Sequence, residues 1–212
     1  MKRLDELYDN FVRRINLIFK ETIDPFLGGG SVYGPTEIEL INTEFCYTFI
    51  HSALEGYVES ICDIYYRVMK DLFDKNKILN NCMASLLLLY DEKNIEKYES
   101  NDDFIRDAIE KRFTILNRNI SRNHGVSKKY LITMLPYVGL NLPEDRLINS
   151  IEAIAITRGD FAHNLKVKII KTSEDAFDAC NDVLDFAKIL YDDAYRGYNL
   201  YKKLSVQGKI NS

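Results

Sequence analysis

Several signals are scarce or missing in this chain, and each absence excludes something. Four prolines and ten glycines in 212 residues leave little room for disordered segments. No apolar run is long enough to span a bilayer, and the stretch Met83 to Tyr90 is far too short. The opening Met1-Lys2-Arg3-Leu4-Asp5-Glu6 is charged and lacks the apolar centre of a secretion signal. These features predict a soluble cytoplasmic protein with no membrane association. None of the four cysteines forms a CxxC pair, so the pattern points to buried free thiols rather than to zinc. Cys46 and Cys62 lie on one predicted helix, sixteen residues apart, and cannot bridge each other. The run Gly28-Gly29-Gly30 is not a phosphate loop, because no strand precedes it and no Gly-Lys-Ser or Gly-Lys-Thr follows. Strand patterning is almost absent; only Lys166 to Lys171 alternates.

What is present is helical periodicity. Leu4, Leu7, Tyr8, Phe11, Val12, Ile15, Ile18 and Phe19 recur at three- and four-residue spacing and predict a helix over 3–22. Asp24-Pro25 breaks it, and the glycines with Gly34-Pro35 form a connector. Thr36 is placed to cap a second helix from Glu37 to about 73, with Glu37 and Glu39 favoured by the dipole of its first turn. That helix is apolar on most sides, so it should be central and buried. Further helices are predicted over 78–90, 102–116, 128–138 and 144–156, with a polar connector over 117–127 and a turn over 139–143. A last long helix, capped by Ser173, should reach about 204. The expected fold is an all-α bundle with a long central and a long C-terminal helix. One domain over 1–212 is expected: 1–35 as N-terminal helix and connector, 36–205 as helical core and 206–212 as tail. An apolar content of 46% is enough for its core.

The net charge of −4 argues against indiscriminate coating of nucleic acid, yet the charges are segregated. From Lys111 to Pro143 there are six basic residues and no acidic ones: Lys111, Arg112, Arg118, Arg122, Lys128 and Lys129. Four more basic residues and no acids follow from Arg196 onward. Two readings fit: a strip that attracts a phosphate backbone, or a solvated loop with a basic tail. Within the strip, Arg122, Asn123 and His124 can hydrogen-bond to phosphates or bases. Asn123-His124-Gly125 is equally good turn chemistry.

Only three histidines are available, and one lies in Arg158-Gly159-Asp160-Phe161-Ala162-His163. Arginine is the preferred grip on phosphate, and histidine is the side chain best matched to proton transfer near neutral pH. Such a pair is the minimum kit for cutting a phosphodiester without a metal. On the second helix, Glu44, Thr48, His51, Glu55 and Glu59 fall on one face. A histidine among carboxylates on a buried helix needs partners, and Arg158 is a candidate partner for Glu55. A buried structural network, a groove for another helix and a weakly supported metal site at His51, Glu55 and His163 are the alternatives.

Several segments together resemble the HEPN superfamily, and most closely its RiboL-PSP-HEPN branch. They are His51-Ser52-Ala53-Leu54-Glu55-Gly56-Tyr57-Val58-Glu59, Asn123-His124-Gly125-Val126-Ser127, a helix ending in Val138-Gly139, and Ile154-Ala155-Ile156-Thr157 leading into the Arg158–His163 motif. The resemblance spans about residues 40 to 195. It implies a helical bundle that often dimerises, with Arg158 and His163 facing a second copy across a cleft. It implies a metal-independent endoribonuclease with no cofactor, of a kind found in toxin–antitoxin and antiviral defence systems. In that scheme the ribose 2′-OH attacks phosphorus, giving cyclic phosphate and 5′-OH ends. Asp160, Asn164, Glu55 and His51 would support the pair, while Arg118, Arg122, Asn123, His124 and Lys128 would guide RNA. An antitoxin or defence-system protein is the expected partner besides RNA. One position departs from the family: the residue after the motif Arg is commonly Asn, Asp or His, and here it is Gly159. The alternative is a non-catalytic module that binds RNA, a nucleotide or a protein within a defence complex.

Overall fold

The computed structural model describes residues 1–28, 34–88, 101–122, 125–163 and 170–210. Among these, seven α-helices and two short 3₁₀ turns account for the regular structure, and there is no strand. The helices are α1 Lys2–Thr22, α2 Glu37–Asn76, α3 Asn81–Leu88, α4 Asn101–Arg122, α5 Lys128–Met134, α6 Asp145–His163 and α7 Ser173–Ile210. Most of the predicted strand at 166–171 lies outside the described residues, and Ile170 and Lys171 are irregular.

Helix α2 is the axis of the molecule, packed by α1, α7, α6 and α3. The Thr36 hydroxyl accepts from the Glu39 N–H at 3.3 Å and so starts the helix. Lys77, in the left-handed conformation at φ 57°, ends it. Ile50, Leu54, Val58, Ile61 and Met69 are wholly buried. Each contributes about 1.5–3 kcal/mol by leaving water. Helix α1 buries Leu4, Phe11 and Ile15, and the Phe11 ring meets Tyr57 at 4.4 Å between centroids. Against α7 the Tyr57 hydroxyl donates to the Ala187 carbonyl at 2.9 Å. The thiols of Cys46 and Cys180 lie 3.7 Å apart in the same seam, both free and buried.

Several boundaries differ from expectation. Helix α3 starts at Asn81 rather than 78, because the Asn80 side chain accepts from the Met83 N–H at 3.1 Å and donates to the Met69 carbonyl at 2.8 Å. Helix α4 continues through the expected connector to Arg122, since no proline or glycine stands before Gly125 to stop it. Helix α7 is capped by Thr172 instead of Ser173. The Thr172 hydroxyl accepts from the Asp175 N–H at 3.2 Å, and Asp175 accepts from the Thr172 N–H at 2.9 Å. Ser173 is buried and donates to Glu39 at 2.7 Å, tying the start of α7 to the first turn of α2.

The turn after α5 is set by two residues. Pro136 begins a 3₁₀ turn, and Gly139 at φ 76° closes it. A Cβ on Gly139 would lie 2.8 Å from the Asn81 carbonyl carbon and 2.9 Å from the Cys82 nitrogen, so this turn sits against the backbone of α3. Asn141 then bonds Asp193 through its N–H at 2.8 Å and its side chain at 3.0 Å. Helix α6 follows and is held on α7 by Arg146 and Ser150, which both donate to Asp182 at 2.7 and 2.5 Å.

No helix among the described residues is long and apolar enough to cross a membrane.

Candidate functional site

The whole Arg158–His163 motif is helical. Helix α6 runs on through it to His163 rather than ending near Ile156. At 100° per residue this fixes what the motif presents. Arg158 follows the wholly buried Ile151 by seven residues and the nearly buried Ile154 by four. It therefore continues the core-facing row of α6, which is why its Nε is buried, and that Nε has no hydrogen-bond partner. Phe161, on the next turn, meets Tyr47 edge-on at 6.1 Å and keeps this end of α6 against α2. A second row on α6 carries Glu152, Ile156, Gly159 and His163 at successive spacings of four, three and four. His163 stands at the last helical position of that row.

Between α2, α6 and the segment entering α5 lies an open cleft of about 220 Å³, lined by His51, Gly125, Ser127, Glu152, Ala155, Ile156 and Arg158. His51 is 4% exposed, and its Nδ1 is buried without a partner. Its other edge faces Gly125, where a Cβ would lie 3.5 Å from Nε2. Gly125 has φ 144°, a conformation that side chains resist, so the ring edge stays uncovered. Burial holds the His51 proton affinity below its ordinary value; the Glu55 carboxylate opposes this and the Arg158 guanidinium adds to it. The imidazole is thus neutral beside a fixed positive charge. Glu152 accepts a short hydrogen bond from the Lys128 N–H and thereby caps α5, a task the Ser127 side chain does not perform.

The sequence stripe on α2 is divided among neighbours. Thr48 donates to the Glu44 carbonyl at 3.0 Å, and Glu59 accepts from the Tyr130 hydroxyl at 3.3 Å. Glu55 is half-buried and acts on His51 through its charge; it forms no ion pair with Arg158 among the described residues. The Lys128 ammonium donates to Asn149 Oδ1 at 3.4 Å, and Arg118 is exposed on α4. Asp160 is half-buried on the turn after Arg158. Asn123, His124 and Asn164 lie outside the described residues. The cleft thus brings His51 and Arg158 together. It adds Glu152 and Ser127, which sequence reasoning did not single out. Glu152 was detectable as the acid six residues before Arg158 and eleven before His163 on one helix, but its bond to a residue 24 positions away was not.

Helix α2 also carries an apolar stripe that no other element covers among the described residues. Ile38, Ile41, Phe45 and Phe49 are 63, 43, 52 and 47% exposed, and Phe45 and Phe49 stack at 6.1 Å. Ser52 and Gly56 continue the row with small exposed residues. On α6, Ile156 is 58% exposed at the rim. An aligned set of this kind is the usual mark of a contact surface.

Two expected outcomes arise here. His51 resists protonation in the folded chain and takes it up readily when unfolded. Stability should therefore be insensitive to this group above about pH 6.5 and fall as the pH drops below it, with a limiting slope of about 1.4 kcal/mol per pH unit. Thermal midpoints of wild type and His51→Gln from pH 7.5 to 5 measure it; parallel curves would contradict it. Gly159 sits inside α6, and a Cβ there would meet nothing within 4 Å. Gly159→Ala should stabilise the chain by about 0.5–1 kcal/mol in thermal or denaturant unfolding.

Among protein families, the model described as RiboL-PSP-HEPN matches residues 43–195. The search of curated proteins and the search of solved structures each found no match.

Proposed function

The chain belongs to the HEPN superfamily, in its RiboL-PSP-HEPN branch, and on that premise we propose that it is a metal-independent endoribonuclease. The observation that carries the reading is the buried, unpartnered Arg158 Nε beside a neutral His51 in an open cleft. A guanidinium with unsatisfied donors is poised for an anion, and its desolvation strengthens the interaction with one. Arg158 holds the non-bridging oxygens of the scissile phosphate and stabilises the charge that grows on the pentacoordinate phosphorus. His163 takes the proton from the 2′-OH or delivers one to the departing 5′-oxygen. Its counterpart in a second protomer takes the complementary role.

The homodimer is part of the proposal. The exposed stripe from Ile38 to Phe49 spans about 16 Å of the same helix that carries His51. Two copies meeting there would bury it and bring both α6 rows to one channel. The exposed Arg118, with Arg122, Asn123, His124 and Lys128, guides RNA toward that channel. The cellular role that follows is a toxin or antiviral-defence effector, restrained by an antitoxin or a defence-system partner.

The chemistry of the ends tests the reaction. Cleaved RNA should carry cyclic phosphate and 5′-OH termini, and a single 2′-deoxy substitution at the cut position should abolish cleavage there. Cutting of the deoxy-substituted strand would exclude 2′-OH attack. Gly159, in place of the family's usual polar residue, favours one second reading: a module that binds RNA or a nucleotide without cutting. That reading predicts RNA affinity that survives His163→Ala, with no cleavage by wild type.

A further inference from the structure

We infer that His51 is a positioning residue that donates a hydrogen bond from Nε2 to the phosphate group held by Arg158, and that it is not an acid or base. The inference rests on the cleft being a phosphodiester site. Its starting point is the ring itself. A neutral imidazole carries one N–H and one bare nitrogen. His51 Nδ1 is buried and has no partner. A proton on Nδ1 would leave a buried donor orphaned, the costlier of the two deficits; a bare Nδ1 leaves only a lone pair. The proton therefore belongs on Nε2. That nitrogen sits on the ring edge facing Gly125, which has no side chain to cover it.

The cleft then has the composition of a seat for a tetrahedral anion. Its donors are the Arg158 guanidinium, His51 Nε2–H and the Ser127 hydroxyl, which makes no cap bond to α5. Glu152 is the one carboxylate in the lining, and one of its oxygens is committed to the Lys128 N–H. Its other oxygen can accept from a sugar hydroxyl next to the phosphate. His51 on α2 and Arg158 on α6 both line this opening, so a single bound phosphate would engage both side chains.

Substitutions separate donation from proton transfer. The glutamine amide nitrogen reaches the place of Nε2, and the asparagine amide reaches the place of Nδ1. With inorganic phosphate as the probe, ring nitrogen NMR of the whole chain at pH 7 should show His51 as the Nε2–H tautomer. Phosphate should shift His51 Nε2 and Arg158 Nε together. H51N should weaken phosphate binding about ten-fold more than H51Q does, and H51Q should leave the shape of the pH–rate profile for RNA as in wild type. An Nδ1–H tautomer, no phosphate shift at His51, equal losses in H51Q and H51N, or a pH limb missing in H51Q would each overturn the inference. Gly125→Ala, which crowds Nε2, should weaken phosphate binding as H51N does; tight binding in that variant would also overturn it. Adding AMP or a 2′-deoxy oligonucleotide in place of phosphate distinguishes a mononucleotide from a polymer as the source of the group. If wild type cuts no RNA while phosphate still shifts His51, the ribonuclease reading fails and the phosphate seat stands.

Discussion

Arg158→Ala should slow RNA cleavage about 10²- to 10³-fold, the scale seen when one preorganised donor to a developing anion is removed. The same change should leave the thermal midpoint where it was, or raise it slightly. The two halves of the expectation come from one observation. The Arg158 Nε is buried without a partner, so the folded chain gains nothing from that group and bears its desolvation. Alanine removes the unsatisfied donor and is a better helix former at a position inside α6. A residue that costs stability and is retained for binding shows this inverse signature. Arg158→Lys should not rescue, because a point charge lacks the fork that spans two phosphate oxygens. Initial rates on a labelled RNA, paired with thermal unfolding of each variant, measure both halves. A variant that loses cleavage only because it melts would show Arg158 to be structural.

Gly139→Ala should destabilise the fold by about 3 kcal/mol. Two costs add. At φ 76° a side chain meets the left-handed penalty. Its Cβ would also press on the backbone of Asn81 and Cys82 at 2.8–2.9 Å, where no side chain can rotate away. For a chain of this size the midpoint should fall by about 6–12 °C. The turn at Gly139 precedes Asn141, which grips Asp193, and then α6, which carries Arg158. Displacing the turn should therefore also lower phosphate affinity in the folded population. A midpoint within 2 °C of wild type, on the scale of about 1 kcal/mol or less, would mean that α3 and the turn separate easily.

Much of this architecture was legible in the sequence, and the reason is periodicity. The rows Leu4–Phe11–Ile15 and Ile50–Leu54–Val58–Ile61 state α1 and α2 directly, and Thr36 states where α2 begins. The Arg158–His163 motif was legible as residue types at a spacing. Its helical state was not, because Gly159 reads locally as a breaker while the burial of Thr157 and the contact of Phe161 with Tyr47 hold the helix together. The burial of Arg158 follows from its register with Ile151 and Ile154, a pattern present in the sequence once the helix is extended past Ile156. The bond of Glu152 to the start of α5, and the place of Ser127 in the cleft, were beyond reach. The two residues join the cleft through packing of α5 on α6, and nothing local marks an acid that caps a helix 24 residues away. The expected Glu55–Arg158 pair shows the limit from the other side. Both residues act on the charge of His51 without pairing with each other, and one-dimensional spacing does not distinguish a shared neighbour from a contact.

We propose that Arg158 and His163, both on α6, cut RNA without a metal. Cleavage of a mixed RNA pool in EDTA tests it most directly, with wild type and His163→Ala at equal folded concentration and a DNA pool alongside. RNA should be cleaved by wild type alone, with DNA left intact. Equal cleavage by both proteins, or none by wild type, would contradict it.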